Sequence, residues 1–425
     1  MTEEYGADRV GTLIHAADLH LGAPLLSLGE RVGTEVAEQI RSQSDRAFDR
    51  LISLTIEQEA DILVLAGDIY DQAESETRVQ LRFAKAMQDL TVAGVKVFIA
   101  HGNHDPVLTA FQPAARLPSE VVVFGVGEPD IHSVTLRSGA EVNVVGISFR
   151  SQSETENLAS RFASLGCDSR RTVGVLHANV GSNSTHDNYA PCSHEDLEIA
   201  PIGYWALGHI HKRQVEPLGP KRWWAYPGNL QGRSTKAAEC GPKGALVVPI
   251  LRDGFGEPEF HPCHQVRFER IDFDVSEAGN FQDVCQVVNE GLLAMEVEAG
   301  DRSLLVRARL IGSTDAHHQL RGEDNLLDLI RQNIAASVTV SKVEVATRAR
   351  ISREQLISRD DLLSDVLKII DMQTDPKDFI QEMVGDQLKT KPMARLKELL
   401  GKDPELSSEI MFEVEAILEN QLVEE

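Results

Sequence analysis

Five short polar motifs hold side chains that could do chemistry. They are Asp18-Leu-His20, Gly67-Asp68, Gly102-Asn103-His104-Asp105, Gly174-Val-Leu-His177 and Gly208-His209-Ile-His211. The motifs contain three aspartates, one asparagine and five histidines, and of these two aspartates, the asparagine and four histidines would offer oxygen and imidazole nitrogen, the ligands that Mn²⁺, Fe²⁺ or Zn²⁺ prefer. The motifs contain no cysteine, which argues against a structural zinc site. The set indicates two divalent ions. A shared carboxylate would hold them about 3.5–4 Å apart, where they clamp the attacking and leaving oxygens of a phosphoryl transfer.

The first three motifs follow segments that the hydrophobic pattern predicts as strands. Strands are expected over residues 12–17, 61–66 and 95–100, with helices over 34–59 and 76–93 between them. This alternation predicts a parallel sheet. Ligands gather beyond the carboxyl ends of the strands in such a sheet, so the motifs are expected to converge.

Glycines precede three of the candidate ligands, Asp68, Asn103 and His209. A residue without a Cβ atom lets the backbone pass close to a crowded site. In Asp18-x-His20 and His209-x-His211, the side chains at positions i and i+2 can face the same side. We therefore expect close packing around the centre.

The later part of the chain predicts two further kinds of structure. Short β-rich runs between residues 121 and 248, including 121–124 and 245–248, predict a second, more antiparallel sheet packed on the first, with one helix near 154–165. After a Gly/Pro-rich break near residues 253–264, strands and helices alternate as in a small α+β unit. From about residue 352 the pattern predicts helices only.

The chain is strongly acidic. Its 42 basic and 66 acidic residues give 42 − 66 = −24 over 425 residues, which argues against holding nucleic acid by bulk positive charge. Residues 351–425 contribute 9 − 18 = −9, whereas residues 209–243 carry 7 − 2 = +5. That basic segment is either a solvated loop or a surface that binds the phosphate backbone of DNA. In the second case Lys212, Arg213 and Arg233 are the candidate DNA contacts.

The cysteines and the apolar runs bear on location. Five scattered cysteines without a C-x-x-C pair indicate a reduced, cytoplasmic protein. The sequence has no secretory leader pattern and no run of about 18 apolar residues, so no membrane span is expected.

In their order along the chain, the five motifs resemble those of the calcineurin-like metallophosphoesterase superfamily over about residues 12–250. Three fuller motifs resemble the SbcD/Mre-type DNA repair exonucleases, and especially their YhaO-type bacterial relatives. They are His15-Ala-Ala-Asp18-Leu-His20-Leu-Gly22, Leu65-Ala-Gly-Asp68-Ile-Tyr-Asp71 and Tyr226-Pro-Gly-Asn229.

The resemblance implies an α/β fold built as a two-sheet metallophosphoesterase sandwich flanked by helices. This nuclease domain would cover residues 1–262, and a small α+β capping domain would cover 263–350. A helical acidic tail over 351–425 would lie where these nucleases bind a coiled-coil SMC-like ATPase. The apolar positions of that tail fit either such a partner face or ordinary solvated helices.

The resemblance also implies a role for each motif residue. The metal ligands would be Asp18, His20 and His211 for the first ion, Asn103, His177 and His209 for the second, and Asp68 for both. His104 would protonate the leaving oxygen, and Asp105 would orient His104, as a carboxylate fixes the tautomer of an imidazole. The chain departs from the pattern at Asp71, where some of these nucleases carry a second catalytic histidine.

The function implied is a Mn²⁺-dependent exonuclease or endonuclease that acts on DNA ends in repair with an SMC-like ATPase partner, and a homodimer is one candidate assembly. Fe, Zn or Mg would also suit the site. One alternative is a phosphatase or small-molecule phosphodiesterase on the same centre, since members of one fold differ widely in substrate. Another is a mainly structural subunit of an ATPase complex, although a scaffold has no physical need for seven converging ligands.

Overall fold

A computed structural model describes residues 8–23, 33–71, 76–108, 115–181, 188–322, 326–331, 334–350 and 358. Its strands are β1 (Arg9–Ala16), β2 (Ile62–Ala66), β3 (Lys96–Ala100), β4 (Val122–Val123), β5 (Asp130–Thr135), β6 (Glu141–Ile147), β7 (Thr172–His177), β8 (Asn179–Val180), β9 (Pro191–Cys192), β10 (Tyr204–Gly208), β11 (Gln214–Gly219), β12 (Arg222–Tyr226), β13 (Gly244–Leu251), β14 (Gly254–Phe255), β15 (Glu259–Pro262), β16 (Val266–Asp274), β17 (Ser303–Thr314) and β18 (Val338–Ala349). Its helices are α1 (Thr34–Glu57), α2 (Thr77–Val92), α3 (His194–Ile199), α4 (Phe281–Ala299), α5 (His317–Gly322) and α6 (Leu326–Arg331). The expected helical tail lies outside the described residues, apart from residue 358.

The first large sheet has the strand order β14-β13-β1-β2-β3-β4, and β15 also pairs with β13. Strands β1, β2, β3 and β4 are parallel neighbours, which confirms the predicted parallel sheet. Strand β13 runs antiparallel to β1. The runs at 121–124 and 245–248 therefore belong to this sheet, and their expected place in the second sheet was wrong.

The second sheet has the order β11-β12-β10-β7-β6-β5. Its three inner pairings are parallel, and only the two outer pairings are antiparallel. The expectation of a mainly antiparallel sheet was therefore wrong. Parallel neighbours need a long crossover, and the connections over residues 148–171 and 178–203 are long enough to make one. The predicted helix near 154–165 is only a short 3₁₀ helix, Ala159–Ser164.

Alternate residues along the strands face different cores, as the period of two requires. Leu13, Val64 and Val175 lie in a core shared by the two large sheets. Ile14 and its neighbours on the other face of the first sheet pack against side chains of α1 and α2, including Phe48. A third core joins the outer face of the second sheet to the 3₁₀ segment and α3. The predicted two-sheet sandwich flanked by helices is confirmed.

Strands β16, β17 and β18 form a three-stranded sheet. The helices α4, α5 and α6 lie between these strands along the chain, which is the α+β alternation that the sequence predicts. The chain divides into two compact units, and the first contains both large sheets and the candidate ligands at their strand ends. None of the described helices has both the length and the apolar character needed to cross a membrane.

Candidate metal centre

Five strand ends position the candidate ligands. Asp18, Asp68 and Asn103 follow β1, β2 and β3 in the first sheet, whereas His177 ends β7 and His209 follows β10 in the second. Because these strands are parallel within their sheets, their carboxyl ends lie at one edge. The predicted convergence of the motifs follows from this topology.

The backbone of the centre is held in an uncommon conformation. Asp18, His20, Asp68 and His209 have φ angles of 51°, 45°, 51° and 100°, in a region that residues with a Cβ atom rarely adopt. Hydrogen bonds between the first two turns support this conformation, since the Asp18 N–H donates to the Gly67 carbonyl at 3.0 Å and the His20 N–H to the Asp68 carbonyl at 3.0 Å. Backbone strain of this kind concentrates at functional sites.

A first cluster joins Asp18, His20 and His211, whose ligand atoms lie within 4.8 Å of one another. The Nε2 atoms of the two histidines are 3.2 Å apart, and His211 Nε2 lies 3.7 Å from Asp18 Oδ1. The Nδ1 atom of His211 lies 2.8 Å from Glu239 Oε1, so in the neutral ring the proton is on Nδ1 and Nε2 offers a lone pair to the cluster.

A second cluster joins Asp18, Asp68 and His177, again within 4.8 Å. The His177 Nδ1–H donates to the Ala66 carbonyl at 3.0 Å, which leaves the Nε2 lone pair 3.1 Å from Asn103 Oδ1 and 3.5 Å from Asp68 Oδ2. Acceptor atoms this close repel one another unless a cation lies among them. The donor set therefore fits a divalent ion.

Electrostatics point the same way. Burial, reinforced by the charge of Asp68, raises the pKa of Asp18 well above its ordinary value. Burial, followed by the charge of Asp105, raises the pKa of Asp68 to about 7. Burial also lowers the pKa of His177 to about 4, so its ring is neutral and able to bind a metal at neutral pH. Cations at the clusters would remove the repulsion between these buried carboxylates.

The remaining predicted ligand, His209, also lies at the centre. Its backbone N–H donates to both carboxylate oxygens of Asp18, at 3.1 Å each. Its ring packs edge-on against His177, with ring centroids 5.2 Å apart. The structure thus brings all seven predicted ligands into one region.

His104 lies at the edge of the centre. Its backbone N–H donates to Asp68 Oδ1 at 2.9 Å, and its Nδ1–H donates to the Asp71 carbonyl at 2.7 Å. Its ring contacts His20 with centroids 4.7 Å apart, and one of its ring nitrogens lies within 4.8 Å of ligand atoms of His20 and Asp68.

Asp105 does not orient His104, and that expectation was wrong. Its buried carboxylate accepts from the N–H groups of Ile69 and Gly102 at 2.9 Å each, and it lies 3.1 Å from His101 Nδ1. Burial alone would raise the pKa of Asp105, but the His101 charge and these hydrogen bonds lower it to about 2. Asp105 thus joins the turns that follow β2 and β3, and the Asp71 carbonyl holds the His104 ring.

Two family models match the chain. Residues 11–213 match the calcineurin-like phosphoesterases, and residues 268–348 match the middle domain of the metallophosphoesterase YhaO. The uncharacterized metallophosphoesterase YhaO of Bacillus subtilis is 32% identical over 279 residues, which cover 66% of this chain and 67% of that protein. The chain belongs to the YhaO-type metallophosphoesterases. It is therefore a metal-dependent phosphoesterase, and its clusters have the composition of sites that could hold divalent ions.

This YhaO-type chain also has more distant relatives. The DNA double-strand break repair protein Mre11 of Aeropyrum pernix is 26% identical over 349 residues, covering 80% of this chain and 76% of that protein. Among solved structures, a dimetal phosphatase from Danio rerio is 12% identical and covers 59% of this chain and 96% of its own. Its TM-score is 0.33.

The YhaO-type centre includes residues that sequence reasoning missed. Glu239 is buried and contacts His211, and the Lys243 ammonium donates to the His211 carbonyl at 2.6 Å. Asp71, which the sequence marked only as a departure from the nuclease pattern, has its Oδ1 atom 3.2 Å from His20 Nδ1, and this atom accepts a hydrogen bond from Arg233 at 2.7 Å. The one available signal for Glu239 was its acidic character within a segment of net charge +5.

The predicted DNA contacts lie in different settings. Lys212 and Arg213 are exposed directly after His211, and the Arg213 guanidinium stacks 3.9 Å from the Phe260 ring centroid. Arg233 is 25% exposed and bound to Asp71. Other basic residues of the segment are bound within the protein. Lys221 pairs with Asp253, whereas Arg222 and Lys243 each donate to backbone carbonyls. The basic residues of the segment therefore do not form one continuous exposed surface.

Proposed function

We propose that this phosphoesterase is a Mn²⁺-dependent DNA phosphodiesterase, an exonuclease or endonuclease that acts at DNA ends in repair. The observation that carries the proposal is the similarity to Mre11, whose name is that of a DNA double-strand break repair protein. That similarity covers 80% of the chain, well beyond the residues 11–213 that match the general phosphoesterase model.

The proposed ligands are the residues of the two clusters together with Asn103 and His209, with Asp68 rather than Asp18 as the shared residue. Asp18, His20 and His211 would hold one ion, Asn103, His177 and His209 would hold the other, and Asp68 would contact both. Mixed carboxylate, amide and imidazole ligands suit Mn²⁺, while Fe, Zn and Mg remain candidates for the test. When bound, the ions polarise the phosphoryl oxygens and lower the pKa of water at the site.

His104 is the proposed general acid. With Nδ1–H donating to the Asp71 carbonyl, Nε2 is the free position of the ring, and in the imidazolium form it carries a second proton. The contact of the Asp68 carboxylate with the His104 backbone N–H keeps this ring beside the bridging ligand. Nε2 would give its proton to the leaving oxygen of the cleaved diester.

Backbone phosphates of DNA would contact Lys212, Arg213 and Arg233. Lys212 and Arg213 are exposed next to a proposed ligand, and Arg233 lies at the rim of the centre. Phosphate contacts of this kind position DNA without reading its sequence. The net charge of −24 favours a weak grip, so a partner is expected to retain the DNA.

The proposed partner is an SMC-like coiled-coil ATPase that binds residues 351–425, and the complex would work in the cytoplasm, with a homodimer as one candidate assembly. We further propose domains over 1–262, 263–350 and 351–425. The match of residues 268–348 to the YhaO middle domain supports the second of these.

A substrate panel tests the function. The full chain with Mn²⁺ is incubated with end-labelled single- and double-stranded DNA, a generic phosphodiester and a phosphomonoester. We expect cleavage of DNA and of the diester, and no cleavage by an Asp68→Asn variant purified in parallel, which controls for a contaminating nuclease. Activity confined to the monoester would overturn the proposal in favour of a phosphatase.

A further inference from the structure

The Glu239 carboxylate is fixed in place by groups other than the histidine it contacts. Its Oε2 atom accepts from Asn229 Nδ2 at 2.8 Å and from the Arg233 backbone N–H at 3.0 Å. Its Oε1 atom lies 2.8 Å from His211 Nδ1. The side chain is 10% exposed, so water competes little for these contacts.

Asn229 anchors this arrangement to the first sheet. It forms a parallel bridge with Ala17, the residue before Asp18, and the Leu230 N–H donates to the Asp18 carbonyl at 3.4 Å. Glu239 therefore ties His211 to the loop that packs against the first ligand of the same cluster.

A neutral imidazole carries one proton, and its position decides which nitrogen can bind a metal. A carboxylate at Nδ1 holds the proton there, keeps the lone pair on Nε2 and increases the basicity of the ring. In His211 it is Nε2 that lies near Asp18 and His20.

We propose that Glu239 is a positioning residue, which holds His211 with its proton on Nδ1 and its Nε2 lone pair directed at the first ion. The inference rests on the proposed role of His211 as a metal ligand. Lys243 supports the same arrangement, because its side-chain ammonium donates to the backbone carbonyl of His211.

The test compares Glu239→Gln with Glu269→Gln. Glu269 is a matched control, since its side chain is 13% exposed and bonded to Arg267 at 2.6 Å but makes no contact with the described centre. A carboxamide has one acceptor oxygen, so it cannot accept from both His211 and the Asn229 and Arg233 donors. By calorimetric titration with Mn²⁺ alone, we expect Glu239→Gln to weaken one of two binding events by roughly 10–100-fold, and Glu269→Gln to bind like the parent.

His211→Gln separates this inference from the proposed function. If His211→Gln keeps both Mn²⁺ binding events, the ligand assignment fails. If it loses one event while Glu239→Gln binds like the parent, the assignment stands and the positioning role is overturned.

A second measurement uses the parent chain, so it does not depend on whether a Glu239 variant folds. ¹⁵N NMR of the metal-free parent, with the His211 signal assigned by its loss in His211→Gln, reports which nitrogen is protonated. We expect the proton on Nδ1. A proton on Nε2 would overturn the inference.

Discussion

Three histidines of the centre share one arrangement of the ring. His104, His177 and His211 each direct Nδ1 at an oxygen, supplied by the Asp71 carbonyl, the Ala66 carbonyl and Glu239 respectively. Each ring therefore presents Nε2 to its remaining surroundings, where a lone pair can bind metal or a proton can be transferred. The chemistry of the site is thus set one residue at a time, by acceptors that belong to other parts of the chain.

Replacement of His104 tests the proton-transfer step. Because Nε2 is proposed to protonate the leaving group, His104→Ala should lower turnover by roughly 10²–10⁴-fold, the usual contribution of general acid catalysis. Mn²⁺ affinity should stay near that of the parent. His261→Ala, at a partly exposed histidine beside Glu259, should leave turnover unchanged. Parental cleavage of linear duplex by His104→Ala would show that the assignment is wrong.

The raised pKa of Asp68 predicts pH-dependent stability. Burial and the charge of Asp105 move this pKa from 3.8 to about 7 in the metal-free fold. The folded state then binds the proton more tightly than the unfolded state, so the stability that this group contributes is lost as pH rises from about 4 to about 7. Divalent ions offset the ionised carboxylate, so the rise in Tm on adding Mn²⁺ should be larger at about pH 7.5 than at about pH 5.5.

Asp68→Asn provides the control for this pH dependence. It removes the ionisable group, so the metal-free variant should melt several degrees above the metal-free parent at about pH 7.5, and Mn²⁺ should change its Tm little. Equal Mn²⁺ shifts of the parent at both pH values would contradict the proposed origin of the effect.

At the scale of elements, the turns after the strands pack so closely that two positions, Gly102 and Gly208, have no room for a side chain. A Cβ atom on Gly208 would lie 1.8 Å from the Ala66 carbonyl oxygen at the end of β2. A Cβ atom on Gly102 would lie 2.3 Å from Asp68 Oδ1 and 2.9 Å from His177 Nε2. The strand ends of the two sheets meet only because these residues are glycine.

Gly102→Ala tests this close approach. The added methyl group should displace the Asp68 carboxylate or the His177 ring, so Mn²⁺ binding by calorimetry should weaken by at least tenfold, a loss of about 1.4 kcal/mol. Gly166→Ala is the matched control, because a Cβ atom there meets nothing within 4 Å and its φ angle is ordinary. Equal Mn²⁺ affinity in both variants would contradict the packing argument.

At the scale of the molecule, a buried polar link joins the two large sheets. His15 on β1 has no exposed surface, and its ring nitrogens bond to the Tyr204 hydroxyl at 2.8 Å and the Leu207 carbonyl at 3.1 Å, both on β10. The ring donates to the carbonyl and accepts from the hydroxyl, which satisfies both nitrogens in the neutral form. Burial lowers the pKa of His15 to about 3.

His15→Gln tests the cost of keeping this link neutral. The folded pKa lies below the unfolded value of 6.5, so the unfolded chain gains a proton first and stability is lost as pH falls below 6.5. A glutamine does not titrate. The free energy of unfolding, measured with urea, is compared between the parent and His15→Gln. The difference in favour of the parent should shrink by up to about 1.4 kcal/mol per pH unit as the pH falls from about 6 to about 4. A constant difference would refute this account.

The motif residues were predictable because a local pattern carries them. A buried apolar run followed by glycine and a polar ligand marks a strand end, and parallel strands bring their carboxyl ends to one edge. The seven ligand candidates, the parallel order of β1, β2 and β3 and the flanking helices α1 and α2 are local in this sense. Hydrophobic periodicity also located several later strands, including β6, β7 and β13, to within a few residues. It did not locate β11, β14 or β15, and the last two lie in the segment over 253–264 that was predicted as a break.

Only the tertiary structure decided which strands pair and which side chains contact the candidate ligands. Strand β13 joins the first sheet beside β1, more than 200 residues earlier in the chain, and no local pattern encodes such a partner. Asp105 follows His104 directly, yet its side chain turns to the loop N–H groups, while Glu239 reaches His211 across 28 positions. The sequence by itself determined which side chains are available for metal chemistry. Packing of distant segments decided which oxygen holds each imidazole, because a hydrogen bond depends on distance and direction in space rather than on separation along the chain.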